Sequence, residues 1–246
     1  MARLRTSAYL VPYLDYFRQI DDNYIKILFL NVRSLHKHYL DVKNDIKLYI
    51  PHVAIFAETR LGPLDRNEEF EIDNFVLYRN DGVSNFPNQR PFHGSVVYSS
   101  LQCVAGYPKC HNVFGVEITI TKLQCLPSVV IAGIYRSPNV CVTQLYQALR
   151  ELHCTILCSE QHCIIVGDLN VNWLNKDQTS GLRNLMISQY GYSQHIKDYT
   201  TVYETIIDHI YTNIPVYCVN VGILETYYSD HKAIWIAVKK ELCKSH

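Results

Sequence analysis

Apolar runs of strand length recur along the chain, and several are cut off by a polar residue. Ile25 to Leu30 ends at Asn31, and Val53 to Ala57 ends at Glu58. Between them Leu35, Tyr39, Val42, Ile46 and Tyr49 recur at the spacing of one helix face. Ser34 stands where an N-cap belongs, and Pro51 stops the helix. A strand, a helix and a strand in this order predict parallel pairing through a crossover. Such pairing brings Asn31 and Glu58 to one edge.

Strands without helices come next, over Phe75 to Tyr78, Gly94 to Ser99, Val113 to Ile120 and Val129 to Tyr135. Residues 81 to 93, rich in Gly, Pro, Asn and Ser, predict a surface loop. Phe114, Val116, Ile118 and Ile120 alternate with Gly115, Glu117 and Thr119, which predicts a half-buried strand with Glu117 on its polar face. A helix is expected from about Val142 to Leu157, with Leu145, Leu149, Leu152 and Ile156 on one side. The run Cys163 to Val166 then ends in Gly167-Asp168-Leu169-Asn170. In an extended chain Asp168 and Asn170 face one side, although the stretch taken by itself reads first as a turn. Leu182, Leu185, Met186 and Tyr190 suggest another helix. Ile206 to Tyr211, with Asp208 hemmed by apolar neighbours, Val219 to Leu224 and Ala233 to Val238 complete the strands.

About ten to twelve strands broken by helical crossovers predict an α/β fold, with two sheets packed face to face and helices outside. Tyr9, Leu10, Tyr13, Leu14, Phe17 and Ile20 predict an amphipathic helix stopped by Asp21-Asp22-Asn23. Residues 1–23 are therefore expected to be an appendage that docks on the domain or on a partner, and residues 24–246 one domain.

At 246 residues and 48% apolar content, the chain can bury a sizeable core, which excludes global disorder. Its 23 basic and 23 acidic side chains cancel, so composition does not announce a nucleic-acid binder, and a local positive face remains compatible with neutrality. The absence of a long apolar run predicts no transmembrane helix. The nine cysteines, irregularly spaced, are expected to be reduced thiols of an intracellular protein. Cys154 and Cys158 read as a core stripe rather than as zinc ligands with His162 and Cys163.

The chemistry gathers at strand ends: Asn31, Glu58, Tyr135, Asp168, Asn170, Asp208, Asp230 and His231. Glu58 and Asp230 are oxygen donors of the kind Mg²⁺ takes. Asp208 would orient the His231 imidazole toward a phosphoryl group, and Asp168 would orient or deprotonate a water, with Asn170 steadying the phosphate. Arg33, Arg60 and Arg136 follow three strand ends, as phosphate contacts or as solvated loop charges.

Six pieces, in order, carry a family resemblance: Leu30-Asn31-Val32-Arg33-Ser34-Leu35, Ala57-Glu58-Thr59-Arg60-Leu61, Ile134-Tyr135-Arg136-Ser137-Pro138-Asn139, Gly167-Asp168-Leu169-Asn170-Val171-Asn172-Trp173, Ile207-Asp208-His209-Ile210-Tyr211-Thr212-Asn213 and Ser229-Asp230-His231. Together they resemble the endonuclease/exonuclease/phosphatase superfamily, the DNase-I-like fold. Their wording is most similar to endonuclease domains of non-LTR retrotransposons, and Arg90-Pro91-Phe92-His93-Gly94 leans toward Helitron-type elements. The resemblance implies a four-layer α/β/β/α sandwich, Mg²⁺ or Mn²⁺ as cofactor, and nicking of DNA to leave a 3′-hydroxyl. It implies Glu58 as main metal ligand with Asn31 beside it and Asp230 on the metal or orienting water. Tyr135, Asn170 and His231 would contact the scissile phosphate, Asp168 would align the water and Asp208 would pair with His231. Ser229 and Thr200 would be further phosphate contacts. A reverse transcriptase or helicase, linked or separate, would be the partner, and the nucleus the place of action. The Pro-Thr-Arg piece of relatives has no match beside Tyr199-Thr200-Thr201. Two other activities fit the same residues: a phosphoesterase acting on RNA, nucleotides or phosphoinositides, and a non-catalytic nucleic-acid-binding module.

Overall fold

Among the described residues, twelve strands form two six-stranded sheets. The computed structural model describes residues 16–84, 89–103, 106 and 108–242. The first sheet holds β1 (Tyr24–Asn31), β2 (Val53–Ala57), β3 (Phe75–Asp81), β4 (Gly94–Ser100), β11 (Val219–Leu224) and β12 (Ala233–Lys239), in the order β11-β12-β1-β2-β4-β3. The second holds β5 (Lys109–Val113), β6 (Val116–Leu123), β7 (Leu126–Arg136), β8 (His162–Asp168), β9 (Ser193–Gln194) and β10 (Asp208–Thr212), in the order β5-β6-β7-β8-β10-β9. Only the central pair of each sheet is parallel, β1 with β2 and β7 with β8. Helices α1 (Leu35–Tyr49) and α2 (Val142–Thr155) make the two crossovers.

Helix α1 forms where the apolar spacing places it. The Ser34 hydroxyl accepts from the Lys37 N–H at 3.3 Å. Ile50 closes the helix in the left-handed region at φ 48, and Pro51 prevents continuation. The buried stripe is Leu35, Val42, Ile46 and Tyr49.

Strand alternation sets the layers. Ile25, Ile27 and Phe29 join the core between the sheets, while Leu28 and Leu30 join the core beneath α1. Helix α2 lays Leu145, Leu149 and Leu152 on the other side of the second sheet. The result is the expected four-layer α/β/β/α sandwich. A one-residue slip of β1 would exchange its two faces and carry Asn31 away from the strand end it occupies.

The expected strand from Val113 to Ile120 is a tight hairpin. Phe114 (φ 53) and Gly115 (φ 83) turn the chain between β5 and β6 in left-handed backbone. Glu117 is buried, because helix α2 covers one face of β6 and the first sheet covers the other. The expected helix near Leu182 starts earlier, as α3 (Lys176–Arg183) capped by Asn175, and continues in a π-helical turn over Asn184–Gln189. Two cysteine expectations change. Cys103 and Cys125 are disulfide-bonded, with Cα atoms 5.4 Å apart. Cys154 and Cys158 are exposed, since α2 turns Leu149 and Leu152 inward instead.

Most of the predicted N-terminal helix lies outside the described residues. Phe17 and Ile20 pack into the core beneath α1, with Phe17 4.9 Å from Trp235 and 6.1 Å from Tyr49 between ring centres. No helix among the described residues is long and apolar enough to cross a membrane.

Candidate active site

The two central parallel pairs deliver four polar residues to one place. Asn31 and Glu58 come from the first sheet, Tyr135 and Asp168 from the second. The Asn31 amide donates to Glu58 Oε1 at 2.8 Å and to Asp168 Oδ2 at 3.0 Å, which joins the two sheets. The Tyr135 hydroxyl donates to the same Glu58 oxygen at 3.0 Å. Burial first, and the Glu58 charge after it, push the Tyr135 phenol up, so it stays a donor. Glu58 (φ 50) and Arg60 (φ 57) both hold left-handed backbone, a strain of about 1–3 kcal/mol each that concentrates at functional sites.

Beside this group stands an imidazole–carboxylate pair. Asp208 lies directly opposite Asp168 in the β8–β10 ladder, and both carboxylates are fully buried. His231 Nδ1 lies 3.0 and 3.2 Å from the Asp208 oxygens, and its Nε2 lies 3.9 Å from Asp168 Oδ2. Burial would lower the His231 pKa, but Asp208 and then Asp168 outweigh it and lift it to about 9. Burial and the charge of Asp208 push the Asp168 carboxyl up, against His231, the Asn31 amide and the Asn170 N–H.

The flanking loops are braced by other expected site residues. Asn170 leaves the strand at φ 51, its N–H donating to Asp168 Oδ1 at 2.9 Å and its side chain to the Arg136 carbonyl at 2.8 Å. The local turn and the aimed carboxylate are thus one feature. Arg136 is buried, and its guanidinium is spent on the carbonyls of Leu169, Val140 and Asn170. Thr200 is also buried, its hydroxyl accepting from the Ile207 and Asp208 N–H groups at 3.2 Å. Ser229 donates to the Asn31 carbonyl at 2.7 Å and accepts from the His231 N–H at 3.1 Å. It therefore pins the turn that carries His231 to the end of β1. At the rim, both Asp230 oxygens accept from Arg33, at 2.8 and 2.6 Å. Arg60 lies over the Phe92 ring and 3.9 Å from Glu58 Oε2.

Two residues join the site that the sequence pattern left out. Glu117 pairs with Tyr135 across β6 and β7 and accepts from the Gly94 N–H. Burial, opposed by that N–H and helped by Glu58, lifts its carboxyl to about 7. His93 Nδ1 lies 3.7 Å from Glu117. In the sequence His93 stands out only as part of an Arg-Pro-Phe-His-Gly loop, and alternation puts Glu117 on the polar face.

The donor set fits a hard divalent cation. Glu58 and Asp168 share one amide donor, and among the described residues Glu58 Oε2 accepts no hydrogen bond. Oxygen donors of this kind suit Mg²⁺ or Mn²⁺, which take one or two carboxylates and keep waters. The ligand atoms of Asp168, Asp208 and His231 also lie within 4.8 Å of one another. There, however, Nδ1 is already committed to Asp208, so this trio reads as a proton-handling group.

A family model described as "Endonuclease/Exonuclease/phosphatase family" matches residues 28–231. No curated protein matches the chain. Several solved structures share the fold. An AP endonuclease from Leishmania major is 16% identical with a TM-score of 0.63, covering 88% of each chain. A 3′-5′ exonuclease from Neisseria meningitidis is 15% identical with a TM-score of 0.65, covering 87% of this chain and 99% of the other. An AP endonuclease from Archaeoglobus fulgidus is 15% identical with a TM-score of 0.64, with the same coverage.

Proposed function

The chain belongs to the endonuclease/exonuclease/phosphatase family, and from that premise we propose that it is a divalent-metal-dependent phosphodiesterase that nicks DNA. The carrying observation is His231, held through Nδ1 by Asp208 and facing Asp168, beside the Glu58–Asn31 group. Glu58 and Asn31 would hold the cation, with Asp230 nearby once Arg33 turns to a phosphate. When bound, the cation supplies Lewis acidity that offsets charge on the scissile phosphate.

The chain's own residues do the rest. Asp168 orients a water and takes its proton as the water oxygen bonds to phosphorus. His231, as imidazolium, and the Tyr135 hydroxyl donate to the phosphoryl oxygens as their charge rises. Asn170 borders the same space. The P–O3′ bond breaks, O3′ leaves with the bonding pair and picks up a proton, and a 5′-phosphate and a 3′-hydroxyl result. DNA as substrate rests on the motif wording and on the DNA-processing names of the structural neighbours. That wording also supports origin in a transposable element, action in the nucleus, and a reverse transcriptase or helicase as partner.

The test is nicking of supercoiled plasmid with Mg²⁺ or Mn²⁺, followed by ligase, which reseals only 3′-hydroxyl/5′-phosphate nicks. EDTA should abolish nicking, and Asp168→Ala or His231→Ala should slow it by about a hundredfold or more. Wild-type protein without EDTA-sensitive nicking, or variants that match it, would overturn the reading. Faster turnover of an inositol phosphate than of plasmid would keep the chemistry and replace the substrate.

A further inference from the structure

Next to Glu58 lies a cavity of about 330 Å³ lined by Ser34, Arg60, Gln89, Arg90, Pro91 and Phe92. Its outer wall is the Arg-Pro-Phe-His-Gly loop, which the proposed chemistry does not use. That wall is firmly built. The Thr59 and Arg60 N–H groups donate to the Gly94 and His93 carbonyls at 3.1 Å. Arg90 donates to both Asp65 oxygens, at 2.9 and 2.8 Å. Pro91 is buried against Gly62 and Gly82, where even an added Cβ on Gly82 would come within 2.6 Å of it.

Two side chains on this wall keep capacity for a ligand. Phe92 is 61% exposed, a large aromatic face held out to solvent on an anchored loop. Arg60 sits 5.6 Å from that ring, and its Nε is buried with no hydrogen-bond partner among the described residues. Arg33, Arg90 and Arg136, by contrast, are each engaged by carboxylates or carbonyls. A buried donor without a partner is costly, and a guanidinium beside an open aromatic face matches a phosphate joined to a flat base. The Arg60 guanidinium lies 3.9 Å from Glu58 Oε2, so the cavity adjoins the Glu58–Asn31 group.

We propose that this cavity is a nucleotide subsite, taking one unpaired nucleotide next to the scissile phosphate, with its base stacked on Phe92 and its phosphate on Arg60. The proposal rests on the phosphodiesterase reading and sharpens it. A stacked pair of bases cannot offer a free face to Phe92, so the subsite selects frayed, mismatched or single-stranded positions over matched duplex.

The experiment uses single-stranded oligonucleotides carrying 2-aminopurine at each position in turn, bound to full-length protein made inactive by Asp168→Asn. One position should be quenched by stacking. Phe92→Leu should remove that quenching and weaken binding by about tenfold, and Phe92→Trp should restore both. Arg60→Gln should weaken binding and flatten its salt dependence. In otherwise wild-type protein, Phe92→Leu should erase the preference for mismatched over matched sites. If plasmid nicking is EDTA-sensitive and Asp168-dependent, yet Phe92→Leu leaves quenching and affinity unchanged, the subsite is overturned and the phosphodiesterase stands. If wild-type protein neither binds nor nicks nucleic acid, both fall.

Discussion

At the scale of single residues, Asn31 is where the two sheets meet chemically, since one amide serves both Glu58 and Asp168. Asn31→Ala should cut the nicking rate by about a hundredfold, the usual cost of losing one preorganised donor, and raise the Mg²⁺ concentration needed for half-maximal rate. Initial rates across a Mg²⁺ titration measure both. His231 gives a pH signature. Its folded pKa is raised to about 9, above the ordinary imidazole value of about 6.5. The pair with Asp208 therefore contributes full stability below about pH 6.5 and loses it as pH rises through about 9. Nicking should fall along the same limb, and Asp208→Asn should move that limb toward neutral pH. Asn31, Glu58 and Asp168 were legible because each ends an apolar run, and Asp208 because apolar neighbours hem it. Glu117 was not, because alternation reports that two faces differ and is silent on whether both are covered. Nor does sequence show how a side chain's hydrogen bonds are spent. Arg136 reads as a phosphate contact, yet it braces the Leu169–Asn170 turn.

At the scale of elements, the end of β8 depends on the absence of a side chain. A Cβ on Gly167 would lie 1.9 Å from the Ile134 carbonyl oxygen on β7. Gly167→Ala should destabilise the protein by about 3 kcal/mol, the upper range for overpacking, as read by urea unfolding. Helix α1 has its own link to the site, because the Tyr228 hydroxyl donates to Asp45 Oδ2 at 2.7 Å, and Tyr228 precedes Asp230 and His231. Burial pushes the Asp45 carboxyl up to about 6. A raised folded pKa means its favourable contribution is present at acid pH and is lost as pH rises through about 6. Asp45→Asn should thus match the wild type near pH 3, below the unfolded carboxyl value, and become the more stable protein by about 3 kcal/mol at pH 8, and thermal melts at pH 3 and pH 8 would show the difference. The α1 boundaries followed from its caps and periodicity, while α2, expected to reach Leu157 from periodicity, ends at Thr155. The β5–β6 hairpin did not, because Phe114 continues the apolar alternation while its backbone turns left-handed.

At the scale of the whole molecule, the two sheets repeat one pattern of strand directions, with a single parallel pair at the centre of each. The layers were legible because these central strands are continuous apolar runs joined by helices. The strand order was not, because it depends on pairings between distant parts of the chain, above all β1 with β12. The helical segment before β1 lies on the first sheet through Phe17, which is fully buried against Trp235. Removing residues 1–20 should expose that indole, red-shift the tryptophan emission and lower the melting temperature by several degrees, as loss of a buried aromatic of about 3 kcal/mol or more does.

The pairing of β1 with β12 also orders events during synthesis. The second sheet is built from consecutive strands, β5 to β10, and can close while the ribosome is still adding residues. The first sheet must wait for its partner from the far end of the chain, Tyr24 being matched to Lys239. His231 emerges just ahead of that partner. A nascent chain can therefore hold Asp168 and Asp208 in one sheet and still lack the imidazole between them.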